Sequence, residues 1–377
     1  MPFVLIVGGG LAGSTAGILL RRMGWEVSIL EKSKGPKEKV CGEFLSPGVW
    51  PLLNSLDLSR SVLTAGGCVI REAQFLLSSK NPVRTRLLDK NSEMPAYGIS
   101  RRLLDDLFLR KAEEEGCLVM RGFEVKNYRD DKEGFEVQAL SADGSPASLQ
   151  TRWIIEASGS RKLPTPPASQ TGFKTHFQAS MPEEILRLIF FRGGYFGFSG
   201  IEEGLTNLCG IVENRVLKKA GGDFNLLLRN AADRNKTFGA WLSGAEQARD
   251  WLACPIHYGF QKNFRPRVFY LGDSFCFVEP LLGQGMTLAM ASGFVLASFL
   301  REKRISQQEA PSPQLAAEFR RRLEKLYSWK FRLGHALKFL TPGLYGRLVN
   351  GLDSRLLWQP LADLACTTPA AELLEIS

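Results

Sequence analysis

Histidine is scarce in this chain. His176, His257 and His335 are the three present, and they lie too far apart to suggest a metal motif. The seven cysteines (Cys41, Cys68, Cys117, Cys209, Cys254, Cys276 and Cys366) are odd in number and scattered, with no C-x-x-C pair. That argues against a disulfide framework and a structural zinc site, so no metal is expected, and it points to a reducing, cytoplasmic compartment. Long apolar runs are missing too. The longest, "MTLAMASGFVLASFL" from Met286 to Leu300, falls short of the roughly 20 residues that span a bilayer. "PFVLIV" near the amino terminus lacks a basic flank and runs straight into glycines, which is wrong for a signal peptide. No internal repeat or low-complexity tract is visible.

A net charge of +9 accompanies no recognisable nucleic-acid module, so nucleic acid is not the expected partner. The charge fits an anionic cofactor, an acidic carrier or redox protein, or an anionic membrane face to which the protein would be peripheral. With 44% hydrophobic and 23% charged residues, the composition is that of a folded globular protein. A length of 377 residues suits two intergrown domains.

The amino terminus carries the clearest pattern. "FVLIVGGGLAGSTAGILLRRMGWEVSILEK" predicts a buried parallel strand, a tight turn, a helix and a second strand. Gly8, Gly10 and Gly13 form G-x-G-x-x-G. The first permits the turn, the second admits a pyrophosphate, and the third lets helix and strand pack closely. Leu11 and Ala12 open a helix whose N–H groups favour an anion. Glu31 closes the second strand where a ribose diol is expected, with Lys32 beside it.

A second pattern, "RVFYLGDSFCFVEPLLGQGMTLAMASG", predicts a strand ending at Gly272-Asp273, then Pro280, Gly283, Gly285 and a long helix from Met286. Asp273 can bind a sugar-alcohol hydroxyl. The glycines let backbone lie against a ring, and the helix aims its positive end there. Between the two patterns, "YGISRRLLDDL" opens a helix at Arg101, a cation where the macrodipole prefers an anion.

Taken together, "GGGLAGS", "ISRRLLDDL", "EASGSR" and "GDSFCFVEPLLGQGM" resemble the FAD-binding fold of the p-hydroxybenzoate-hydroxylase type, the group A flavoproteins, and do so over most of the chain. The resemblance implies FAD as cofactor, with Gly8, Gly10, Gly13 and Glu31 at its ADP half. It places Arg101 near the pyrophosphate and Asp273 at the ribityl chain, and leaves NAD(P)H or a reduced redox protein as electron donor. "CGEFLSPG", "GFKTHF" and "GYFGFSGIEEGLTNLCGIV" resemble the geranylgeranyl-reductase-like branch most. Two departures stand out. Ser158 in "WIIEASGSRK" occupies the place of the aspartate in the hydroxylases' D-G motif. The W-x-W-x-I-P signature of flavin halogenases is absent, which argues against a halogenase.

The fold expected is α/β: a GxGxxG Rossmann-like FAD-binding domain (1–66, 98–165 and 265–300) with an inserted antiparallel sheet for substrate (67–97 and 166–264) and a helical C-terminal region (301–377). The main functional expectation is hydride transfer between flavin and a carbon–carbon bond of a hydrophobic prenyl, polyketide or related substrate. Alternatives are an FAD-dependent monooxygenase acting on an aromatic or polyketide and, more distantly, a lipid or pigment carrier with a vestigial flavin site. In this fold "CGEFLSPG" passes over the flavin. Cys41 then serves as lining, as proton donor, or in covalent chemistry, and Glu43 is read first as a solvated loop carboxylate, with a proton-relay group as the alternative. Phe44, Tyr195, Phe196 and Phe198 are the candidate pocket residues.

Overall fold

The computed structural model describes residues 3–76, 83–88, 93–131, 133–160, 168–179 and 184–340, without the side chains of 335–340. The part of the expected helical C-terminal region beyond residue 340 lies outside the described residues. Five parallel strands build the first sheet, in the order Phe269–Tyr270, Trp153–Glu156, Val4–Val7, Val27–Glu31, Leu118–Arg121. Its central strand, Val4 to Val7, is at most 4% exposed, as both-face burial of a β-branched run demands. The helices Leu11–Arg22 and Gly285–Glu302 cross here at close range. A Cβ on Gly293 would lie 2.8 Å from the Thr15 side chain and 3.0 Å from the Ala16 nitrogen.

The second sheet has ten strands. It is antiparallel except where Glu184–Phe191 runs parallel to Cys68–Leu76. Its strands Gln170–Gln178, Leu205–Glu213 and Gly194–Gly200 pair over nine and seven residues, a rigid central panel. On one side the helices Phe224–Ala232 and Lys236–Ser243 cover a dry cluster of Phe173, Phe177, Phe196, Phe198 and Phe238. The other side faces the parallel sheet. Phe44–Leu45 and Ala96–Gly98 pair with each other and close one end of this sheet, Ala96–Gly98 on Cys68–Leu76. The last described helix, Pro313–Leu340, packs Phe319 on Phe269 and Tyr327 on Phe275. Among the described residues, no helix is long and apolar enough to cross a membrane.

Candidate active site

The glycine turn shows why each position has no side chain. Gly8 sits at φ +101°, its N–H donates to Leu30 O at 2.8 Å, and a Cβ there would fall 2.6 Å from Ala157 O. At Gly13 a Cβ would fall 2.0 Å from Gly8 O, so that glycine lets helix and turn touch. Gly10 differs. Its nearest neighbour is the flexible end of Lys39 at 3.5 Å, which leaves an open cradle in front of the helix. The helix Leu11–Arg22 has no side-chain cap and no acid in its first turn, so its first N–H groups are unspent. Glu31 accepts the Gly9 N–H and the Ser33 N–H, both at 2.8 Å, and stiffens the turn as well as facing the cavity.

Across from this turn, Gly272 at φ +55° lies against Ala12, and Gly283 at φ +63° lies under the Phe44 ring. Gly285 has nothing within 4 Å of a built Cβ. One cavity of about 1130 Å³ joins these parts. Gly8, Gly10, Leu11, Ala12, Glu31, Lys32, Arg101, Gly272, Asp273, Pro280, Gly283, Gly285 and Met286 line it, as do Cys41, Phe44 and Tyr195. Gly13 stands behind the lining. Lys32 is at the mouth, 2.9 Å from Glu124.

The cation at the start of the helix Arg101–Glu114 has its explanation here. Ser100 caps the helix through Leu103 N–H at 3.2 Å, and the Arg101 N–H donates to Glu43 Oε1 at 2.8 Å, so a carboxylate meets the macrodipole after all. The Arg101 guanidinium holds both oxygens of Asp105 at 2.9–3.0 Å and hydrogen-bonds the Cys41 sulfur. Burial alone would lower its pKa, but Asp105 and Cys41 push it up. Lys39 also reaches Asp105, at 2.6 Å. Asp273 has no hydrogen-bond partner among the described residues. Desolvation pushes its carboxyl up to about 6, with Arg101 and Lys39 opposing. An open glycine cradle, unspent helix donors, two cations and an unpartnered acid at the far end suit the pyrophosphate and hydroxylated chain of FAD.

Glu43 corrects the sequence expectation. It is fully buried at φ +52°, not solvated. Lys174 Nζ lies 2.6 Å from one of its oxygens and His176 Nε2 2.8 Å from the other, and Lys174 also reaches Glu38 at 2.7 Å. Lys174 and His176 are two apart on a strand and so share a face. Burial alone would raise the Glu43 carboxyl, but His176 and Lys174 more than offset it and hold it below the usual range. Donor atoms of Glu38, Glu43 and His176 cluster closely enough for a cation, and the Lys174 ammonium already supplies that charge.

The sheet forms the cavity floor with every second residue. One row runs Thr85, Ala73, Leu186. The next runs Phe75, Leu188, Gly197, Cys209. The last runs Tyr195, Ile211, Gly172, Cys254. Phe196 and Phe198, expected in the pocket, point the other way. They are fully buried on Phe238 and Trp241, with ring centroids 4.9 Å and 4.7 Å apart. Pleat parity puts Tyr195 and Gly197 on the cavity side instead. Tyr195 donates to the buried Glu279 at 3.0 Å, and Tyr258 bonds the same carboxylate. Burial first, then Glu279, pushes both phenols up, so both remain proton donors. Sequence reasoning missed Thr85, Lys174, His176, Glu279 and Tyr258. The alternation through "YFGFSG" was the one local signal for the floor. Ser158, in the place of the absent aspartate, hydrogen-bonds Glu156 at 2.5 Å and lines the cavity.

Residues 3–189 match the family described as FAD binding domain. The flavin-dependent halogenase armH3 of Armillaria mellea is 30% identical over 41% of this chain and 32% of its own length. Tryptophan 2-halogenase of Chondromyces crocatus is 26% identical over 79% of this chain and 60% of its own. The chain thus spans a third to three fifths of these relatives. Among solved structures, the myxobacterial chondrochloren halogenase superposes with a TM-score of 0.78 at 20% identity, covering 97% of this chain and 96% of that one. PqsL of Pseudomonas aeruginosa, a probable FAD-dependent monooxygenase, gives 0.74 at 20% identity over 93% and 98%. Halogenases are therefore relatives in sequence and fold, despite the missing W-x-W-x-I-P.

Proposed function

We propose, on the premise that residues 3–189 belong to the FAD binding domain family, that the chain is an FAD-dependent monooxygenase acting on an electron-rich aromatic or polyketide substrate. The relatives support this reading over the hydride-transfer reductase of the geranylgeranyl type expected from the sequence. Bound and reduced, FAD supplies the activation of dioxygen. The chain's own residues do the rest. The glycine cradle and Asp273 hold the cofactor, and Phe44 against Gly283 walls off water beside the ring site. Tyr195 donates its one O–H in the hydrogen bond to Glu279, so its oxygen offers the cavity only lone pairs. It therefore suits a substrate O–H or N–H, and withdrawing that hydrogen's charge enriches the attached ring.

The observation that carries the reading is the lining. Cys41, Cys209, Cys254 and Met286 share the cavity with the apolar floor. Halogenation needs an electrophilic halogen species to cross this space, and four sulfurs would consume it. Electrons would come from NAD(P)H or a reduced redox protein.

The test is mass spectrometry after incubating the enzyme with reduced FAD, ¹⁸O₂, halide and a panel of phenols and indoles. A product heavier by one ¹⁸O is expected. Halogen incorporation, or a gain of two hydrogens without oxygen, would overturn the proposal.

A further inference from the structure

The floor of the cavity has a polar side chain with no hydrogen-bond partner among the described residues. Thr85 lies on the short strand Val83–Arg86, whose alternating burial turns Val83 and Thr85 inward and Arg84 and Arg86 out. Thr85 is 2% exposed, it is among the residues that line the cavity, and its buried hydroxyl has no hydrogen-bond partner among the described residues. Around it stand Ala73, Phe75, Leu87, Leu186 and Leu188, all apolar. Valine has the same shape and would leave no unmet hydroxyl here, so this group is placed at a cost unless a ligand pairs with it.

Its position says what that ligand is. Thr85 is in the first row of the floor and Tyr195 in the last, three strands across and two rows along. Strand spacing and rise put their Cα atoms about 20 Å apart on a flat sheet, less where the sheet curves. Both side chains reach inward from that span. A single ring cannot touch both, whereas two linked rings or a fused ring system can.

We propose that Thr85 is a specificity-determining residue at the far end of the substrate cavity. The substrate it selects has linked or fused rings, an O–H or N–H at the end near Tyr195, and an oxygen at the other end that pairs with Thr85. This deepens the monooxygenase reading and rests on it for the chemistry, but binding alone tests it.

The test uses the oxidised holoenzyme, which cannot turn over, titrated with 4-hydroxystilbene and 4,4′-dihydroxystilbene by fluorescence. The parent should bind the diol about tenfold more tightly. Thr85→Val should reduce that preference to within about twofold while leaving affinity for the mono-ol unchanged. Thr85→Ser, which keeps the hydroxyl, should retain most of it, and flavin content reports folding in each variant. A preference that survives in Thr85→Val, no preference in the parent, or no binding of either stilbene overturns the inference. Because no oxygen transfer is measured, failure here is separable from failure of the ¹⁸O experiment.

Discussion

Replacing Lys174 with methionine tests whether the buried ion cluster holds the "CGEFLSPG" loop in place. The ammonium is 2% exposed and lies within 2.7 Å of two carboxylates, Glu43 and Glu38. Methionine fills a similar volume but leaves Glu43 buried with only His176 and one backbone N–H as partners. Removing one member of a buried pair costs about 3–5 kcal/mol, because the remaining charge stays desolvated. The pH dependence gives a sharper signature. In the parent, Glu43 is held below its ordinary value of 4.5. Its contribution is therefore full above that pH and is lost as pH falls through the folded value. Lys174 is raised above 10.5, so its contribution is full below that pH and is lost above it. Neither group gives the parent a slope between pH 5 and 8. In Lys174→Met, burial pushes the Glu43 carboxyl up, so protonation favours the folded state and stability rises as pH falls from 8 to 5. Urea unfolding followed by tryptophan fluorescence, with FAD in excess, measures both effects. A loss under 1 kcal/mol at pH 7, or a flat profile in the variant, refutes the reasoning.

Gly10→Val should abolish FAD binding, read as the flavin content of the purified protein, because its side chain enters the open cradle; stoichiometric flavin would contradict the assignment. FAD affinity should rise with pH through about 6 as Asp273 ionises to accept ribityl hydroxyls, and Asp273→Asn should flatten the profile. Isothermal titration from pH 5 to 8 distinguishes these outcomes. Asp273→Ala should weaken FAD by about 1–3 kcal/mol through an unmet hydrogen bond. For Cys41, the serine and alanine variants should both turn over within a few-fold of the parent, as expected of a cavity wall whose sulfur is a weak acceptor for Glu43 N–H at 3.4 Å. A loss of 10²–10⁴ in both would assign it to proton transfer.

The cofactor end was legible because its signals are local. A G-x-G-x-x-G turn, the strand before it and the acid after it lie within 30 residues, and backbone sterics alone decide where glycine must stand. The cluster beneath the loop was not legible. Glu43 meets Lys174 and His176 across 131 and 133 positions, and no pattern near either end announces the other. A carboxylate flanked by glycine and phenylalanine reads as loop. The pairing of Phe44–Leu45 with Tyr97 and Gly98, with Asn207 holding the Cys41 and Gly42 carbonyls, draws it inside.

The misplaced phenylalanines teach something different, since the needed signal was there. "YFGFSG" alternates large aromatic residues with small ones, so the strand has a bulky face and a sparse face. Binding a hydrophobic substrate suggested the bulky face for the pocket. Burial energetics favour the opposite choice. A fully buried phenylalanine contributes about 1.5–3 kcal/mol only where atoms pack it on all sides, and a cavity lacks those atoms in the ligand-free protein. Phe196 and Phe198 therefore go to the dry cluster under Phe238 and Trp241. The glycine-bearing face, with Gly197 and, on the strand Gln170–Gln178, Gly172, is left to enclose empty space. Tyr195 joins that sparse face because the buried Glu279 holds its hydroxyl. On a strand that separates core from cavity, the small residues mark the pocket, and the one large residue among them is the one with a polar partner.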